Sequence, residues 1–106
     1  MNLQKEIVMK INIPTEEQKR QLAEMLYRAL VEIRLVAGAG NAECAADVAD
    51  AFHNLPNGLY GRSHWDSKYF RIRLEEYERK YNNKGSEIFT NYLTNFDSIF
   101  PDISRS

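Results

Sequence analysis

The sequence predicts an all-α fold, a compact four-helix domain preceded by a short extended or β-like amino-terminal arm. Four stretches each repeat large apolar residues at three- and four-residue spacing, the mark of a helix with one face in a core. Helix-capping residues stand before these stretches, and glycine or proline stands where most of them stop. The 43% hydrophobic and 27% charged fractions are globular values, away from the disordered range. A chain of 106 residues supports one hydrophobic core and not two. The expected organisation is a single domain over 1–106, with an arm at 1–14, a helical core at 15–100 and a carboxy-terminal tail at 101–106.

Residues 3–13 fit two patterns. Ile7, Met9, Ile11 and Ile13 alternate like a strand, while Leu3, Ile7, Val8 and Ile11 fit a helix almost as well. Ile13 precedes Pro14 and is biased to extended backbone, which favours a strand or extended arm. The first helix is expected over 16–37. Thr15 is its N-cap, Gln18 the capping-box partner, and Leu22, Met25, Leu26, Ala29, Ile33 and Val36 its apolar stripe. Gly38 and Gly40 end it. The second, over 42–54, is capped by Asn41 and turns Ala45, Val48, Ala49 and Phe52 inward. Leu55-Pro56-Asn57-Gly58 is expected to open a loop. A third helix over 64–82 starts near Ser63, with Asp66 in its first turn and Phe70, Leu74, Tyr77 and Tyr81 as its stripe. The fourth, over 87–100, is capped by Ser86, carries Phe89, Tyr92, Leu93, Phe96 and Phe100, and is ended by Pro101. Short connections favour antiparallel or steeply crossed neighbours.

Two features exceed what a minimal bundle needs. The first and third helices each carry a second apolar row, Tyr27, Val31 and Leu35 on one and Trp65, Tyr69 and Ile72 on the other. Two-sided burial, with the arm as one cover, accounts for such rows; an exposed row is instead a binding surface. Trp65, Tyr69 and Ile72, flanked by Lys68 and Arg79, are the favoured contact set, since Trp and Tyr give large contact area at low entropic cost. Charge is also segregated. Residues 40–58 hold Glu43, Asp47 and Asp50 and no Lys or Arg, whereas residues 62–84 carry a net charge of +3. An acidic helix lying beside a basic one explains this. A dipolar docking surface, acidic at Glu43, Asp47 and Asp50, is the functional alternative.

Chemistry is sparse. Cys44, Asp47, Asp50, His53 and His64 are the available metal-ligating or nucleophilic residues. They form no paired HxxxH or CxxC spacing. Cys44 sits at the edge of an apolar face and reads as a small buried hydrophobe, and no phosphate-binding or nucleophile-elbow motif occurs. The reading is therefore no catalytic residue, no metal and no cofactor. The first two helices and their glycine turn mimic a helix-turn-helix, but the recognition helix would present acid to phosphate, which argues against nucleic acid. The net charge of −1 supplies no pull toward nucleic acid or anionic lipid. The expectation is cytoplasmic, from a single cysteine and no signal-peptide or membrane-length apolar run. The function expected is a non-enzymatic protein–protein interaction module of small bacterial type, a regulator, adaptor or inhibitor-like (immunity-like) protein that binds a protein partner or itself. A nucleic-acid-associated regulator using the basic, aromatic third helix is the alternative. A small metal- or cysteine-dependent enzyme is third.

Overall fold

The Thr15 hydroxyl accepts from the Gln18 amide at 3.1 Å while the Gln18 side chain accepts from the Thr15 amide at 2.9 Å, so the first helix opens on a complete capping box. The structure is a computed structural model describing residues 14–62 and 65–104; the arm, apart from the buried Pro14, lies outside the described residues. Helix α1 (Glu16–Gly38) ends in a Schellman turn. Gly40, at φ 87°, lets its own amide reach Ala37 O and that of Asn41 reach Val36 O, a left-handed position at which a Cβ is strained. Asn41 caps α2 (Ala42–Phe52) through the Cys44 amide at 3.1 Å.

Helix α2 stops two residues before the expected 54, and the expected loop is a short helical turn, α3 (Leu55–Leu59). Pro56 has no amide to continue the α2 ladder but fits the first turn of a new helix, so the chain breaks and restarts there. Helix α4 (Ser67–Asn82) begins later than expected, because Asp66 is its N-cap and accepts from the Lys68 and Tyr69 amides at 2.9 and 3.3 Å. Helix α5 (Ile88–Ile99) follows a short turn. The tail expected from 101 instead opens with a helical turn, α6 (Pro101–Ser104), that packs Ile103 against the core.

The described residues are all-α. Helix α1 packs on α2, α2 on α4, α4 on α5, and α5 back on α1, with α3 against α1. Contact registers show antiparallel neighbours: Arg71 meets Asp97 and Glu78 meets Thr90 across α4 and α5. The centre is aromatic. Phe70 touches Phe52, Trp65 and Phe96 with ring centroids 5.4–5.8 Å apart. Phe89 in turn touches Tyr77, Tyr81 and Tyr92. Of the residues expected in the core, Ala29, Val48, Phe52, Phe70, Leu74 and Phe96 are buried, while Leu26, Ile33 and Tyr77 pack at its margin.

Two outcomes test this packing. A Cβ on Gly58 would lie 2.8 Å from the Trp65 ring, so Gly58→Ala, a change that favours an ordinary helix, should destabilise by about 1–3 kcal/mol. Gly38→Ala, with nothing within 4 Å of the new carbon, should stabilise by up to about 1 kcal/mol; thermal melts showing the same sign for both would refute the contact. The buried Tyr92 hydroxyl has no hydrogen-bond partner among the described residues. Tyr92→Phe should therefore raise the melting temperature, by roughly 4–8 °C if about 1 kcal/mol of desolvation is relieved. A fall would mean that the hydroxyl is satisfied.

Candidate interaction surface

Helix α1 is apolar on two opposite sides. Leu22, Met25 and Ala29 are buried on the inner side. On the outer side Tyr27 is 69%, Leu30 56%, Val31 38% and Leu35 61% exposed. These four occupy about two turns. Three of them form the second row seen in the sequence. Leu30 was missed there because it projects beside that row rather than in it. The ion pairs of α1 stay within the helix, Lys19–Glu16, Arg20–Glu17 and Arg20–Glu24. The Arg28 and Arg34 side chains have no acidic partner among the described residues.

The expected contact row on the third helix is split, and Trp65 does not belong to it. Trp65 is 4% exposed, lies before α4 rather than on it, and covers Gly58 while its indole donates to Ser67 Oγ at 2.8 Å. The reason is the Asp66 cap: a helix starting at Ser67 leaves Trp65, before the cap, outside the helix and folded inward over Gly58 of α3. Tyr69 and Ile72 remain exposed, as do Lys68 and Arg79. The structure thus keeps Tyr69, Ile72, Lys68 and Arg79 on one outward side of α4 but leaves only two apolar side chains there.

Glu43, Asp47 and Asp50 do not form a free acidic surface; they face α4. Lys84 and Lys80 reach Glu43 at 3.4 and 2.9 Å, and Lys80 and the Tyr81 hydroxyl reach Asp47 at 2.6 Å each. Arg73 and the Tyr77 hydroxyl close on Asp50. The pairs 43–84, 47–80 and 50–77 share one constant sum, the signature of antiparallel helices in fixed register. On its other flank α4 holds α5 through Arg71, which binds Asp97 at 2.8 and 3.1 Å and Glu75 at 2.7 Å.

These contacts shift the titrating groups. The Tyr77 hydroxyl, with Arg73 in support, holds the Asp50 carboxyl below its usual range, and Lys80 and Lys84 do the same for Glu43. Burial, then the bond to Asp50, pushes the Tyr77 phenol up to about 12. Burial and Asp47 push that of Tyr81 up as well. Cys44 is buried, and burial raises its thiol, which disfavours the reactive thiolate. His53 Nδ1 lies 2.6 Å from the Asp50 carbonyl oxygen and 3.9 Å from its carboxylate. His64 lies outside the described residues, and among those described no group of three or more His, Cys, Asp and Glu is placed to hold a metal ion. No described helix is long and apolar enough to cross a membrane. No protein-family model, curated protein or solved structure matches the chain.

The seam between α2 and α4 makes stability depend on pH at both ends. Carboxylates whose folded pKa is lowered stabilise above the ordinary value near 4, and this is lost as acid protonates them. Phenols whose folded pKa is raised stabilise below about 10, and this is lost as pH climbs toward about 12. The melting temperature should be level in between and fall on both sides, with Tyr77→Phe giving a shallower alkaline limb. An alkaline limb identical in Tyr77→Phe would show that this phenol carries none of it.

Proposed function

We propose that this chain is a non-enzymatic protein–protein interaction module that docks through the outer face of α1. The carrying observation is the exposure of Tyr27, Leu30, Val31 and Leu35 on one side of a helix whose opposite side already fills the core. A helix in a two-layer domain needs one apolar face, and a contiguous exposed second one marks a contact surface. The α4 residues Tyr69 and Ile72, with Lys68 and Arg79, are a smaller secondary contact. The reactive groups support the non-enzymatic reading: Cys44 is buried, and Asp47 and Asp50 are neutralised by α4. A cytoplasmic regulator, adaptor or inhibitor-like protein of small bacterial type fits this surface and the single cysteine.

Nucleic-acid binding through α4 is the weaker proposal. Arg71, Arg73, Lys80 and Lys84 are engaged by acidic side chains, leaving Lys68 and Arg79 as the helix's cations without an ion pair among the described residues. Two phosphate contacts give little affinity at physiological salt.

The test is the double variant Tyr27→Asp with Leu35→Asp. Its melting temperature should stay within about 3 °C of the parent, as for surface changes, while association with a host protein or with a second copy is lost. A large fall in melting temperature would show the face to be covered within the chain. Unchanged association at unchanged stability would put the contact elsewhere.

A further inference from the structure

We infer that the occupant of the α1 face is a second copy of this chain, packed antiparallel across a two-fold axis level with Ala29; this rests on the docking face proposed above. The outer side of α1 carries Arg20, Glu24, Tyr27, Val31, Arg34 and Gly38 at alternating four- and three-residue spacing, the repeat that keeps one seam facing a partner helix. All six are exposed. The seam runs 18 residues, about 27 Å at the helical rise of about 1.5 Å per residue, and Leu30 and Leu35 border it.

The charges on this seam choose the partner and its direction. A two-fold axis level with Ala29 places opposite one another residues whose numbers sum to 58. Tyr27 then meets Val31 of the second copy, twice by symmetry, and these two layers form the apolar centre. On either side Glu24 meets Arg34 of the second copy. At the ends Arg20 lies over Gly38 of the second copy, where there is no side chain to obstruct it, and keeps its bond to Glu24 at 2.7 Å within its own helix. Arg34, which has no acidic partner of its own among the described residues, gains one. A parallel pair in register does the reverse: Arg20, Glu24 and Arg34 each face their own like charge, which is unfavourable. The same surface is thus self-complementary in one direction only, as an isologous two-fold contact requires.

Two apolar layers with their leucine borders supply the affinity, and the exposed Glu–Arg pairs fix direction more than strength. So small a seam fits association in the micromolar range. The full chain, followed by sedimentation velocity over about 1–500 µM, should pass from monomer to dimer. Glu24→Arg and Arg34→Glu, each of which sets like charges opposite one another, should each weaken dimerisation about tenfold or more, with melting temperatures close to the parent's. The double swap Glu24→Arg with Arg34→Glu should restore it to within about threefold of the parent. A wild-type chain that stays monomeric throughout overturns the proposal, as do single variants that dimerise normally or a double swap that fails to restore. Failure here is distinguishable from failure of the docking face itself. A monomeric chain whose Tyr27→Asp, Leu35→Asp variant sheds a bound host protein keeps the face and loses the second copy. A monomeric chain that this variant strongly destabilises has the face covered by its own residues, such as 1–13, and loses both.

Discussion

What α2 and α4 leave on the outside of this molecule follows from the register in which the two helices meet. The two helices are opposite in charge and lie antiparallel, with Glu43, Asp47 and Asp50 meeting Lys84, Lys80, Tyr81, Tyr77 and Arg73 in order. These pairs are partly buried, and the desolvation of their charges offsets much of the attraction between them. Their effect is on geometry. Sliding α4 by one turn would set Asp47 against Glu76 in one direction or Glu43 against Ile88 in the other, and would move Tyr77 and Tyr81 off Phe89. With the seam and the Arg71–Asp97 pair both satisfied, α4 is held on two flanks. The outward strip that remains on α4 is narrow and carries Lys68, Tyr69, Ile72 and Arg79.

The favourable energy lies in the aromatic cluster that the seam aligns. Phe70 joins Trp65, Phe52 and Phe96, so rings from the α3–α4 connection, α2, α4 and α5 form one continuous contact. Edge and tilted ring contacts add to area burial by preferring particular angles, so the cluster sets helix placement as well as hydrophobic gain. The α3 turn belongs to the same device. Pro56 interrupts the helical ladder, the chain restarts, and Gly58 presents bare backbone on which the Trp65 ring lies. Side chain and glycine are complementary: neither residue has its role without the other.

Local signals were legible in the sequence because they act over three or four residues. Thr15 with Gln18, Asn41 before Cys44 and most of the apolar stripes of the four long helices correspond to contacts within one turn or to one continuous face, Ala49 being the exception that stays exposed. What escaped was non-local or ambiguous in register. Asp66 suits both the N-cap and the first turn, and placing it in the first turn put Trp65 on a helix face instead of over Gly58. Leu55–Leu59 contains Pro and Gly, which read as a loop, though Pro tolerates a helix start and Gly58 is fixed by a ring brought from seven residues away. Charge segregation was visible, and its intramolecular explanation describes what α2 and α4 do. Of the two second apolar rows, residue type favoured that of the third helix, from which the buried Trp65 drops out. The difference is that α4 is tied to both of its neighbours by ion pairs, whereas the ion pairs of α1 among the described residues lie within the helix.

That asymmetry bears on how the α1 face would be used. Helix α1 is held by its inner apolar side and by a Gln18 bond to the Ile99 carbonyl at 3.2 Å near its start. Among the described residues its outer charges form no ion pair with another helix, so substituting them should leave the core undisturbed. If the face is self-complementary as proposed, two occupants would compete for it: whatever docked on Tyr27, Val31 and Leu35 would have to displace the second copy, and the free surface would fall as the chain's own concentration rose. Under the antiparallel arrangement the displacing helix needs an acidic residue opposite Arg34 and a basic one opposite Glu24, ten residues apart, with apolar residues between them. That is a sequence requirement on the partner, set by α1 alone, and it follows from two charges that the fold itself does not use to join its helices.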